Sequence, residues 1–181
     1  MLPTGHIAAG FLVAQGLIVV TNPSLTTSQT NILLLAGAFF GFVPDLDMFY
    51  AFYKSKSFTV PGTKINHRYY LPHRPMIWLA LGILVSVFAT NQFWQLFGIV
   101  IWLGSWSHFL LDSLQIGVMW LWPLSSKFYA LKDAGTKENN DTKGFFNYWI
   151  RYLTYFYPKK YTSTFVLELI ILIVAFVVLL Y

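Results

Sequence analysis

The chain has 181 residues, of which 56% are hydrophobic, 19% aromatic and 10% charged, with no cysteine and a formal net charge of +5. Globular proteins carry about 25% charged residues, so an ordinary soluble domain is excluded, as are disulfides and thiolate metal ligands. The length suits one domain over 1–181, and because Lys and Arg sit in loops, the expected partners of the positive charge are membrane lipids or an anionic substrate, with no nucleic acid.

Met1-Leu2-Pro3-Thr4-Gly5-His6 passes straight into apolar sequence, without the basic segment of a cleaved signal. Five apolar stretches follow, at about 7–21, 32–52, 76–90, 93–112 and 164–181. A bilayer core of roughly 30 Å takes about 20 helical residues. The second, fourth and fifth stretches meet that length or come close; the first and third need an extra turn or an interior place. The expected fold is all-α: a polytopic membrane helical bundle of about five transmembrane helices plus an interfacial aromatic helix. Gly10, Gly16, Gly37, Gly41, Gly82, Gly98 and Gly104 are the small residues that let such helices approach closely.

The motif-bearing region spans 1–130. Within it, Gly117 to Pro123 (GVMWLWP) is too short to cross a membrane and is rich in interfacial tryptophan. A polar loop and interfacial segment cover 131–163. Lys132 to Gly144 reads as loop, and Phe145 to Tyr157 (FFNYWIRYLTYFY) as a helix along the membrane surface. The last span is 164–181, and its Glu168 is expected to pair with Lys159 or Lys160 near the interface.

Every Lys and Arg falls between the second and third stretches (Lys54, Lys56, Lys64, Arg68, Arg74) or between the fourth and fifth (Lys127, Lys132, Lys137, Lys143, Arg151, Lys159, Lys160). With five spans both loops share one side, which the positive-inside rule makes cytoplasmic. The amino terminus is then cytoplasmic and the carboxyl terminus exterior. Charge counting used no histidine or aspartate, yet it brings His6, Asp45, Asp47, His67, His73, His108 and Asp112 to one level.

Four imidazoles and three carboxylates suit zinc, manganese or iron, and ionisable groups at membrane depth point to function. His108 and Asp112, four apart on a helix, share a face; on their own they could equally form a plain hydrogen bond. Asp45 and Asp47 follow Pro44, which breaks the helical ladder, so one carboxylate could bridge two ions while the other binds terminally; the alternative is a turn or cap beside a proline. Pro72 precludes a regular helix through His67 and His73, so both could face one ion, and Pro75 can start the third span. Arg68 and Arg74 are charged forks suited to phosphate, or to lipid headgroups. No serine-hydrolase elbow, P-loop or dinucleotide fingerprint is present.

The series Gly5-His6, Pro44-Asp45-Leu46-Asp47, His67-Arg68 with His73, Ser107-His108 with Leu111-Asp112, and Gly117 through Trp122-Pro123 resembles a bacterial inner-membrane family. That family is described as predicted membrane-bound metal-dependent hydrolases, of the LexA-regulated inner-membrane protein type. The resemblance covers residues 1 to about 130 and implies a metal shell of His6, Asp45, Asp47, His67, His73, His108 and Asp112. The chain departs from the pattern at Pro72 and Met48 and in a longer gap between His67 and His73; alternatively, His73-Arg74 is itself the His-Arg element and His67 is peripheral. A more distant similarity in ligand order is to zinc-dependent phospholipase C and single-strand nucleases, which implies phosphoester chemistry by analogy only.

The expectation is a membrane-embedded metal-dependent hydrolase, a phosphoesterase acting at the cytoplasmic face of the inner membrane on a small-molecule or lipid phosphoester. It would use one or two divalent ions, zinc first and manganese or iron otherwise. Asp45, Asp47 and Arg68 are the expected catalytic residues, with Arg68 and Arg74 on the substrate. The rival readings are a metal-ion transporter and a non-catalytic metal-binding membrane scaffold.

Overall fold

Proline and polar caps set the helix ends. Helix α1 (Pro3–Thr21) begins on Pro3, whose missing N–H would lack a helical partner there anyway, and ends where Asn22 turns left-handed (φ 40°). Helix α2 (Thr27–Phe42) opens with a capping box: the Gln29 N–H donates to Thr26 Oγ1, and the Thr26 N–H donates to the Gln29 side chain. Pro44 then interrupts the ladder, and a 3-10 turn, Val43–Asp45, leads into α3 (Leu46–Ser55). Two more 3-10 turns, His67–Tyr69 and Leu71–His73, precede α4 (Pro75–Val87), which starts on its own proline. Asn91 caps α5 (Gln92–Asp112), and α6 (Phe145–Arg151) and α7 (Thr162–Leu180) complete the order. The computed structural model describes residues 1–55, 67–114, 116–131, 145–151, 153–154 and 162–181. Among these there is no strand, only an isolated bridge between Val118 and Tyr129.

The all-helical membrane bundle expected from the sequence is the fold. Four helical runs are long and apolar enough to cross a membrane: Pro3–Thr21, Thr27–Lys54 (α2 continued through α3), Gln92–Asp112 and Thr162–Leu180. The remaining expected span is shorter. Helix α4 has 13 residues, about 20 Å. Of the expected surface helix at 145–157, residues 145–151 are helical; Tyr152 and residues 155–157 lie outside the described residues. So do the polar loop 132–144 and Lys56, Lys64, Lys132, Lys137, Lys143, Lys159 and Lys160.

Glycine governs the tightest contacts. A Cβ on Gly10 would run into the Gly37 carbonyl, and one on Gly41 into the carbonyl of His6, so α1 and α2 cross backbone to backbone. Helices α4 and α5 repeat the device: a Cβ on Gly82 or Gly98 would sit 2.6 Å from the other's carbonyl oxygen. Ala14, Leu33, Ala36, Leu96 and Val100 fill the core between α1, α2 and α5 toward the end away from the site. Val20, Leu35, Val87, Phe88 and most of α7 stay exposed, a hydrocarbon-facing surface in a bilayer. Helix α7 docks along α1.

Candidate metal centre

At the other end of the bundle, four ligand atoms from three elements converge. They are Asp45 Oδ1 from the turn after α2, His73 Nε2 from the turn before α4, and His108 Nε2 and Asp112 Oδ2 from the last turns of α5. His73 Nε2 lies 3.2 Å from His108 Nε2, 3.6 Å from Asp45 Oδ1 and 3.6 Å from Asp112 Oδ2. His108 Nε2 lies 3.7 Å from Asp45 Oδ1 and 3.4 Å from Asp112 Oδ2. A tetrahedral ion with bonds of roughly 2.0–2.2 Å separates its ligands by about 3.3–3.6 Å. These five separations, 3.2–3.7 Å, lie in or close to that range, and the trios Asp45–His73–His108 and His6–His108–Asp112 are each close enough to hold an ion.

Hydrogen bonds behind the imidazoles decide which nitrogen faces inward. The His108 Nδ1–H donates to the Gly41 carbonyl at 2.8 Å, and a carbonyl can only accept, so Nδ1 carries the proton. His73 Nδ1–H donates to Asp47 Oδ2 at 2.6 Å. In their neutral forms both rings therefore turn a bare Nε2 lone pair toward the two carboxylates. Asp112 Oδ2 is buried and accepts no hydrogen bond among the described residues. Such a cluster of lone pairs is unfavourable unless a proton or a cation sits among them. Burial opposes a charge on His73, but Asp47, then Asp112 and Asp45, outweigh it and push its pKa up to about 9.

The remaining expected residues surround that point in distinct ways. His6 stacks on His108 with ring centroids 3.8 Å apart, and its Nε2 lies 3.4 Å from Asp112 Oδ1. Arg68 Nη2 donates to the same Oδ1 at 2.8 Å, so Asp112 presents one oxygen to the guanidinium and the other to the convergence. Asp47 does not bridge toward that point. Its second oxygen accepts from His67 Nδ1–H at 2.7 Å, so the carboxylate holds two imidazoles from behind. Asp47, His67 and His73 are close enough to hold an ion themselves, but contacts of 2.6 and 2.7 Å to Nδ1 are hydrogen-bond lengths. His67 stays 5.1 Å from His73, ring to ring. Arg74 turns away, its guanidinium on Met119 Sδ and the Tyr69 carbonyl and over the Tyr69 and Trp122 rings. Its neighbours leave it no place among the convergent atoms.

Several supports carried little sequence signal. Trp78 Nε1 donates to the Pro72 carbonyl at 2.7 Å and Trp106 Nε1 to the Pro75 carbonyl at 3.0 Å, pinning the segment that carries His73. Ser105 and Ser107 bond within α5, to the carbonyls of Ile101 and Gly104. The expected pairing of Glu168 with Lys159 or Lys160 falls on residues outside the described ones; its carboxylate accepts from the N–H groups of Leu2 and Gly5 and from Thr4 Oγ1. The available signal was a lone acid in the last span facing a first helix that begins without a capping side chain.

The family model described as YdjM inner membrane protein matches residues 1–181. That description places a protein in the inner membrane and states no reaction; neither a metal-dependent hydrolase nor a phospholipase C is among the findings. No curated protein and no solved structure matches the chain.

Proposed function

Since the chain belongs to the YdjM inner membrane protein family, we propose that it is a membrane-embedded metal-dependent hydrolase holding one divalent cation among Asp45, His73, His108 and Asp112. The observation that carries this reading is the buried convergence of four ligand atoms, with Asp112 Oδ2 left without a hydrogen bond. Two imidazoles and two carboxylates suit zinc first, then manganese or iron. Arg68 on Asp112 Oδ1 takes the direction from which a second ion would share that carboxylate, which favours one ion over two.

When bound, the cation supplies Lewis-acid polarisation of a phosphoryl oxygen and lowers the pKa of an attacking water. The chain's own groups do the rest. Asp45 is the convergent carboxylate with the most exposed side chain, about 10%, and is the group placed to take a proton from that water. Arg68, held by Asp112 Oδ1, supplies a fixed positive charge beside the charge building on the phosphoryl oxygens. Asp47 keeps His73 in the tautomer that leaves Nε2 free.

Depth supports a lipid or membrane-adjacent phosphoester as substrate. His6 is fifteen residues from the far end of α1 and His108 sixteen from the far end of α5, so the centre lies about 22–24 Å from those ends. A hydrocarbon core of roughly 30 Å then puts it near one edge, close to the phosphate level of that leaflet. The described Lys and Arg residues fall in segments at this end, which by the positive-inside rule faces the cytoplasm. A transporter is less well supported, because the opposite half of the bundle is packed with Ala14, Leu33, Ala36, Leu96 and Val100, and alternating access needs a second polar route.

The test is elemental mass spectrometry of detergent-purified protein beside an Asp112→Asn/His108→Ala variant. One zinc, manganese or iron ion per chain, absent from the folded variant, is the expected result and directs screening to phosphoesters. No metal after reconstitution with each ion would overturn the reading. Metal flux into vesicles without turnover would replace it with transport.

A further inference from the structure

Helix α1 begins without a cap of its own. Its N-cap residue is Leu2, which offers no side-chain acceptor, and the N–H groups of a first turn need one. The acceptor comes from the far end of the sequence. Glu168 of α7, 2% exposed, accepts from the Leu2 N–H at 3.1 Å, the Gly5 N–H at 3.1 Å and Thr4 Oγ1 at 3.2 Å. Its negative charge also suits the positive end of the helix dipole. The fit is close: a Cβ on Gly5 would lie 2.7 Å from Glu168 Cδ. Glu168 is the only charged residue in α7, and a lone carboxylate in an apolar helix is costly unless it is matched.

The residue after Gly5 is His6. Its ring lies on His108, its Nε2 approaches Asp112 Oδ1, and its carbonyl abuts Gly41, whose own carbonyl orients His108. A shift of the first turn of α1 along its axis therefore moves His6 against two of the four convergent residues.

We propose that Glu168 is a positioning residue of the metal centre: it caps α1 from α7 and thereby sets the height at which His6 meets His108 and Asp112. This inference rests on the reading of Asp45, His73, His108 and Asp112 as a cation site. It assigns α7 a task in the centre through Glu168.

The experiment measures Co(II) affinity by chelator competition, and the absorption spectrum at saturating Co(II), for the full chain and for Glu168→Ala, His6→Ala and the double variant. Each single change is expected to weaken binding about tenfold, within the range for residues behind a metal shell, and to alter the saturated spectrum. The double variant should bind no more weakly than His6→Ala, because Glu168 acts through His6. A Glu168→Ala protein that melts earlier but keeps the affinity and spectrum would overturn the proposal, and so would additive losses. If Glu168→Ala does not fold, Gly5→Ala displaces the same carboxylate and decides by the same criteria, with Glu168→Gln expected to fall between it and the native chain. Failure of the native chain to bind Co(II) would instead overturn the cation site itself.

Discussion

Asp47 receives two imidazoles, one on each oxygen, so changing it separates orientation from ligation. Asp47→Asn keeps the shape but can accept on one side only; the ion should still bind at saturation, with affinity lower by about 10–100-fold, read by chelator competition. Arg68→Ala should behave in the opposite way, retaining the ion while turnover of a phosphoester falls by about 10²-fold. Equal loss of metal in both variants would contradict the division of labour between them. At this scale the sequence was partly readable. His108 and Asp112 share a helix face by spacing alone, and the structure puts both at the convergence. The choice between His67 and His73 was not readable, because Pro72 and the two 3-10 turns remove the periodicity that would aim them. Nor could spacing tell that Asp45 points inward while Asp47 supports from behind, since the turn at Pro44 sends the two carboxylates to different partners.

Helix contacts carry the residue geometry. Gly41 lies where α1 and α2 touch backbone to backbone, and its carbonyl fixes His108. Gly41→Ala should lower the thermal midpoint in detergent, with overpacking costing about 1–3 kcal/mol, and should weaken metal binding as well. Gly16→Ala, which meets nothing within 4 Å, should do neither. Both glycines stood out in the sequence as small residues in apolar spans, but only the packed structure separates them. The third apolar stretch was also visible, and its helix starts at Pro75 as expected but stops at Val87, three residues short of the stretch, where Phe88 leaves helical dihedrals (φ −87°, ψ 2°). The cap supplied by Glu168 lies beyond local reading altogether, since its partners are more than 160 positions away.

Across the whole molecule, topology can be checked directly, because the chain has no cysteine to give background labelling. Ser24→Cys and Ser126→Cys, at exposed positions at opposite ends of the bundle, should react with an impermeant maleimide from opposite sides, Ser126 from the cytoplasm. Labelling of both from one side would contradict the five-span topology expected from the sequence. The short α4 has a further consequence for the surrounding lipid. Helix α5 runs 21 residues, about 31 Å, whereas its neighbour covers about 20 Å. The Trp106 bond to the Pro75 carbonyl fixes the start of α4 six residues, about 9 Å, short of the end of α5. The deficit therefore falls on the side of the candidate metal centre, beside exposed Leu71 and Met76. Local thinning is one way such a hydrophobic mismatch is relieved, and it would draw the headgroups of one leaflet down toward His73 and Arg68. Turnover of a membrane-borne substrate should then depend on bilayer thickness, faster in short-chain vesicles than in long-chain ones at equal headgroup composition.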